Sequence, residues 1–339
     1  MGIIERAVKD LGAVEGEPGE RQRPDPDSRR LEHAGTIERA MGKVADRPGV
    51  VEILEPAARP AREADGAKPP IAEHQDGSGP GERPAAFRRN SERSAATTHR
   101  PSEICKISRE RLRAQGLVMP DGARTPVAEC IRLVKSQLLV NVAEKEPDYP
   151  ANVIMVTSSL PGEGKTFCAI SLAISIAQER DKSVLLIDAD VANPSVPESL
   201  GIVTERGLMD VLEQSNDLAE VIRQTDIEKL SVLLAGRPHR NATELLASDA
   251  MRALTRQLAN EYDDRIIIVD SPPLLAASEA GVLAAHMGQI VVVVEAGNTS
   301  EKVLNEALGR VDVGRVAGLV LNKAPTSHRK YGYGYGKSG

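Results

Sequence analysis

The chain has 339 residues, 27% of them charged, and 43 Lys and Arg stand against 49 Asp and Glu for a net charge of −6. So mild a balance argues against nucleic acid as a partner, and no apolar stretch approaches the roughly 18 residues of a membrane span or forms a leader peptide's core. Aromatic residues make up 2% and Trp is absent, so about a third of the chain is expected to join no core. Three scattered cysteines, Cys105, Cys130 and Cys168, lack metal or redox spacing and fit a reducing, cytoplasmic setting.

Residues 1–100 are rich in Pro, Gly, Arg, Glu and Ala and poor in large hydrophobes. Such a segment buries too little surface to offset the entropy of ordering, and disorder is expected. Two phrases stand out, Gly2-Ile-Ile-Glu-Arg-Ala7 and Gly35-Thr-Ile-Glu-Arg-Ala40. Each is followed by apolar residues at helical spacing, and helices so short form mainly against a partner or a lipid surface.

Residues 101–150 change texture. Ile107, Leu112, Leu117 and Val118 suggest a short helix, Pro120-Asp-Gly122 a turn, and Ile131, Val134, Leu138 and Val142 a longer amphipathic helix. Glu129, Arg132 and Lys135 recur three apart, which is read as a charged strip able to meet a neighbouring subunit.

Residues 151–325 alternate apolar β-branched runs with helical patterns. The runs are Val153 to Val156, Val184 to Ile187, Leu230 to Leu234, Ile266 to Val269, Ile290 to Val294 and Val316 to Leu321. Continuous rather than alternating apolarity means strands covered on both faces, hence an α/β fold with a mostly parallel sheet and helices on both sides. Ligands of such sheets bind where strands end. There lie Asp188-Ala-Asp190, Asp270-Ser-Pro-Pro273 and Asn322-Lys323.

After the first run comes Ser-Ser-Leu-Pro-Gly-Glu-Gly-Lys-Thr at 158–166, then a helical pattern from Phe167. Strand, glycine turn and helix start form the P-loop context, in which backbone N–H groups and the helix N-terminus cradle phosphate. Ser159, Pro161, Gly162, Glu163, Gly164, Lys165, Thr166 and Phe167 are the expected nucleotide contacts. Lys165 would neutralise phosphate charge and Thr166 would hold Mg²⁺. Ser159 replaces the first glycine of the usual pattern. Asp270 occupies the strand-end metal position, and three converging carboxylates imply a divalent cation by charge balance. Asn322 and Lys323 are candidates to contact a purine.

Residues 326–339 carry Tyr331, Tyr333 and Tyr335 alternating with glycine. They read either as an adhesive tail or as a flexible substrate for an active site.

With these motifs in hand, residues 125–339 resemble the bacterial protein-tyrosine autokinases of capsular and exopolysaccharide synthesis. The resemblance rests on the loop Ser159 to Thr166, Leu185-Leu-Ile-Asp-Ala-Asp190, Ile267-Ile-Val-Asp-Ser-Pro-Pro273, Asn241-Ala-Thr-Glu-Leu-Leu246 and the tyrosine cluster. From Ile107 to Val142 the chain is further similar to the branch found beside exosortase and exopolysaccharide loci, whose kinase is separate from the membrane chain-length regulator. The resemblance implies ATP and Mg²⁺ as cofactors, Lys165, Asp188 and Asp190 as catalytic groups, and Thr166, Asp188 and Asp270 around the metal. It implies autophosphorylation of Tyr331, Tyr333 and Tyr335 and oligomerisation through Glu129, Arg132 and Lys135. As partners it implies a second copy offering its tail, a transmembrane polysaccharide co-polymerase recruiting the chain to the inner membrane, and a tyrosine phosphatase.

Two departures from that pattern are Ala192, where an arginine is usual, and Lys135 in place of arginine. The alternative is a partition or septum-placement ATPase. Those proteins usually carry a lysine where this chain has Leu160, and they lack a tyrosine tail.

Overall fold

The computed structural model describes residues 50–52, 104–143 and 150–324. Eight strands form one sheet: β1 (Val50–Glu52), β2 (Val153–Ser158), β3 (Ser183–Asp188), β4 (Arg223–Gln224), β5 (Leu230–Leu233), β6 (Arg265–Asp270), β7 (Gln289–Glu295) and β8 (Val316–Asn322). Their order is β1-β8-β7-β2-β6-β3-β5-β4. Neighbours pair in parallel except β4 with β5.

Alternate residues of the central strands enter two separate cores, because successive side chains of a strand point to opposite faces. Ile154, Val156, Val184, Leu186, Ile266 and Ile268 join one, and Val153, Met155, Leu185, Ile187, Ile267 and Val269 the other. The first core is covered by α1 (Arg109–Ala114), α2 (Pro126–Ala143) and α3 (Lys165–Ala177). The second lies under α8 (Asp249–Glu261) and neighbouring elements. Between them in chain order run the short helices α4 (Val196–Leu200), α5 (Leu208–Leu212), α6 (Leu218–Val221) and α7 (Ala242–Leu246), while α9 (Ser278–Ala284) and α10 (Glu301–Leu308) follow α8.

α3 begins immediately after the glycine turn and is buried along nearly its whole length, Phe167 to Ala177. A helix apolar on all sides must lie inside a protein, and that burial anchors the loop at its start. α8 is the contrasting case: Met251, Leu254, Thr255 and Leu258 face the core while its charged residues face out, and Ser248 caps it by accepting from the Met251 N–H at 3.3 Å.

The strand runs read from sequence extend by one or two residues at most of their ends. Two edge elements were not anticipated. β4 is only two residues long, too short for any periodicity. β1 lies in the Pro- and Gly-rich segment read as lacking structure, and Val50–Glu52 pair with Leu319, Val320 and Leu321 of β8. The other residues up to 103, both repeated phrases included, lie outside the described residues. No helix among the described residues is long and apolar enough to cross a membrane.

Candidate active site

Three adjacent strands deliver the site. In the order β2-β6-β3, β2 ends in the glycine turn, β6 in Asp270, and β3 in Asp188 followed by Asp190. Val156 is in register with Asp270, and Asp270 with Asp188. Neighbouring strands lie about 4.8 Å apart, so the two carboxylates are neighbours by construction.

Gly162 and Gly164 have φ of 86° and 98°. A side chain at Gly162 would meet nothing within 4 Å, so glycine is required there by its left-handed backbone and not by crowding. Gly164 is the N-cap of α3 and offers no side-chain cap, so the first-turn N–H groups are presented to an anion. Ser159 is absent from the positions of positive φ, which is why serine is accommodated where glycine is usual. It is fully buried, and its hydroxyl lacks a hydrogen-bond partner.

Two of the expected nucleotide contacts turn inward. Glu163 is 2% exposed; its carboxylate accepts from the Leu160 N–H at 2.7 Å and from the Thr299 hydroxyl. Phe167, in the first turn of α3, packs into the core that α3 shares with α2. Pro161 and Gly162 are exposed at its rim, and Thr166 is half-buried.

Lys165 sends its Nζ to Asp190 Oδ2 at 2.7 Å and also approaches Thr166 Oγ1 at 3.3 Å. Asp190 is oriented from behind, accepting from the Asn193 N–H while its own N–H donates to Asp188 Oδ1 at 3.2 Å. Asp188 and Asp270 are fully buried, and Asp188 Oδ2 and both oxygens of Asp270 lack hydrogen-bond partners.

Burial pushes Asp188 well above the usual carboxylate range, and the charges of Asp270 and Asp190 push it further. Burial raises Asp270 to about 6, against the pull of Lys165 and of the nearby Thr166 hydroxyl. For Lys165 burial favours the neutral amine, but Asp270, Asp190 and Asp188 together outweigh it and raise its pKa. Buried, unpartnered carboxylate oxygens beside a hydroxyl and a phosphate cradle suit a hard cation that takes its remaining ligands from water and phosphate. Among the described residues no cluster of three Asp, Glu, His or Cys could hold a metal alone. The donor set therefore fits Mg²⁺ arriving with a nucleotide.

Asn322 and Lys323, read as candidates to contact a purine, are otherwise engaged. Asn322 is fully buried and its Nδ2 donates to the Glu163 carbonyl at 2.9 Å. Lys323 Nζ donates to the Gly162 carbonyl at 2.6 Å and lies 3.4 Å from Glu295 Oε2. Thr299 was missed altogether. It follows β7 in a loop without motif, and only its place beyond a strand end marks it.

The charged strip on α2 splits across two faces. Each three-residue step turns a helix back by about 60°, so Lys135 sits about 120° from Glu129. Glu129 and Arg132 pair with each other on the surface, but Lys135 is 8% exposed, pairs with Glu179 and donates to the Ser175 carbonyl at 3.3 Å. Replacing Lys135 by alanine should therefore lower the melting temperature by a few degrees, a cost of about 1–2 kcal/mol for losing a buried side chain's packing and its bonds to a half-exposed carboxylate and a helix carbonyl. Calorimetry on a monomeric sample checks this; a loss seen only on association would contradict it. Tyr331, Tyr333 and Tyr335 lie outside the described residues.

Comparison with known proteins bears on this geometry. A family model described as an AAA domain matches residues 151–312. Tyrosine-protein kinase YwqD of Bacillus subtilis is 32% identical over 196 residues, 57% of this chain and 81% of the relative. The kinase domain of Escherichia coli tyrosine kinase ETK superimposes with a TM-score of 0.54 at 31% identity, over 62% of this chain and 82% of that one. The chimerical protein CapA2B2 gives 0.55 at 26% identity, over 66% and 95%.

Proposed function

The chain belongs to the bacterial tyrosine-protein kinases, which transfer a phosphoryl group from ATP to protein tyrosine, and we propose that its own substrate is the C-terminal cluster Tyr331, Tyr333 and Tyr335, presented in trans by a neighbouring copy. The observation that carries this reading is the buried Lys165, Asp188, Asp190 and Asp270 constellation on adjacent strand ends, combined in one chain with an alternating tyrosine tail.

In this reading Thr166, Asp188 and Asp270 hold Mg²⁺, whose charge on the phosphates assists departure of ADP. The loop N–H groups and Lys165 bind and orient the phosphates, Lys165 exchanging Asp190 for the nucleotide. The tyrosine oxygen forms its bond to the γ-phosphorus as the bond to the β,γ-bridging oxygen breaks, and the electron pair leaves with ADP. The phenol proton, held with a pKa of about 10, passes to the Asp188 and Asp190 pair. With Asp188 on the metal and Lys165 turned to the phosphates, Asp190 is the carboxylate left to accept the proton.

Arg329, Lys330 and Lys337 make the unmodified tail basic, drawing it toward a carboxylate-lined site. Each phosphorylation adds about −1.5 to −2 charges, so two or three reverse its sign and expel it. The resulting cycle of association and release, reset by a phosphatase, would regulate exopolysaccharide polymerisation and export with a transmembrane chain-length regulator. That regulator would recruit the cytoplasmic kinase to the inner membrane, with the repeated Gly-x-Ile-Glu-Arg-Ala phrases as candidate contacts.

Incubation of the full chain with labelled ATP and Mg²⁺, followed by phosphoamino-acid analysis and mapping, tests the reading. Phosphotyrosine confined to the tail, and lost when all three tyrosines become phenylalanine, is expected. Robust ATP hydrolysis without phosphotyrosine would favour a nucleotide switch instead.

A further inference from the structure

The two strands on the far side of β2, β7 and β8, end beside the glycine turn and grip it from behind. The grip involves two consecutive peptide groups. In a trans peptide the C=O and the following N–H lie in one plane and point in opposite directions, so fixing a carbonyl aims the next N–H. Asn322 Nδ2 holds the Glu163 carbonyl at 2.9 Å, which aims the Gly164 N–H the opposite way, at the mouth of α3. Lys323 Nζ holds the Gly162 carbonyl at 2.6 Å and so fixes the preceding peptide plane, with its Glu163 N–H directed the opposite way.

A second set of bonds clamps the turn's side. The Thr299 hydroxyl donates to Glu163 Oε1 and accepts from the Glu295 N–H at 3.2 Å. Glu163 Oε2 in turn takes the Leu160 N–H at 2.7 Å. Glu163 and Thr299 are 2% and 3% exposed, so water does not compete for these contacts. Lys323 closes the ring through Glu295 at 3.4 Å, from a left-handed backbone with φ of 56°. A lysine in that region is uncommon, and it persists here where the side chain is held at both partners.

We infer that Thr299, Asn322 and Lys323 are positioning residues that set the N–H donors of the glycine turn for the phosphates of a nucleotide, and do not read its base. The inference rests on the phosphate-binding role assigned to this turn. It separates from that role by experiment, because the kinase reading can stand with a base-contacting Asn322 and fail with a well-braced turn.

The test uses the full chain, with binding of ATP, GTP and inorganic tripolyphosphate measured by calorimetry in Mg²⁺. Thr299→Val removes the hydroxyl without altering charge, and Lys323→Met removes the amine without changing the backbone demand at φ of 56°. Both should weaken tripolyphosphate and ATP by the same factor, on the order of tenfold, with the ratio of ATP to GTP affinity unchanged. Thr299→Ser keeps the donor and should restore affinity, which separates hydroxyl positioning from mere packing and from any charge effect at Lys323. Tripolyphosphate affinity unchanged in Thr299→Val would overturn the inference, as would a shift in the ATP to GTP ratio in Lys323→Met. If Thr299→Val does not fold, the comparison of Thr299→Ser with Thr299→Ala decides: equal affinities for tripolyphosphate overturn it, and weaker binding by the alanine variant supports it.

Discussion

Replacing Lys165 by methionine should reduce phosphoryl transfer about 10³-fold or more and should also destabilise the protein before any ligand is added. The first effect follows from chemistry that is mostly positioning and electrostatics, where loss of one charged donor in a water-poor site costs two to three orders of magnitude or more. The second follows from the ligand-free site. Lys165 is the cation held 2.7 Å from Asp190 and the positive charge that moderates both Asp188 and Asp270. The two side chains of the pair are 10% and 3% exposed. Breaking a buried ion pair from one side costs about 3–5 kcal/mol, because the remaining charge is left in a poor solvent. The double change Lys165→Met with Asp190→Asn should therefore recover much of the lost stability and none of the activity. Thermal melts beside a labelled-phosphate assay check both halves. A Lys165→Met protein melting at the wild-type temperature would mean that the pair does not hold the site.

Asp270→Asn is expected to act in opposite directions on stability and function. Phosphoryl transfer should fall by about 10²- to 10³-fold, since the strand-end carboxylate is lost from the metal position. The ligand-free protein, however, should become more stable at pH 7. Asp270 is fully buried, neither oxygen has a hydrogen-bond partner, and its pKa is raised to about 6, with burial the largest cause. A folded-state value above the unfolded one of 3.8 means that the ionised group opposes folding. That penalty is absent below the unfolded value, grows as pH rises from there to about 6, and is complete above about 6. At about 1.4 kcal/mol per unit it amounts to about 2–3 kcal/mol at pH 7, some 5–10 °C in melting temperature for a domain of this size. Acidifying from pH 7 to 5 should accordingly narrow the gap between wild type and variant. Saturating Mg²⁺ and nucleotide should reverse it, because only the wild type gains the binding term, about 2.7 kcal/mol at one hundred times Kd. Calorimetry at two pH values, with and without ligand, decides the matter. A variant less stable than wild type at pH 7 without ligand would show that other contacts at Asp270 outweigh its buried charge.

Sequence alone determined the six longer strands and the position of the chemistry along the chain. Uninterrupted β-branched runs such as Ile266 to Val269 can only be strands covered on both faces, and the glycine turn before the apolar α3 marks the phosphate end. Both signals are local: they depend on periodicity and on backbone conformations that few residues adopt. Tertiary structure alone decided which side chains face the ligand space. Glu163, Asn322 and Lys323 occupy positions whose sequence pattern suggests nucleotide contact, yet their side chains are spent on the turn itself. Thr299 joins them from 136 residues away. Lys135 likewise shares a three-residue spacing with Glu129 and Arg132 but turns into the contact with α3. Hydrogen bonds between residues far apart in the chain leave no period or spacing in the sequence. They exist only once β7 and β8 have been laid beside β2 and their ends brought against the glycine turn.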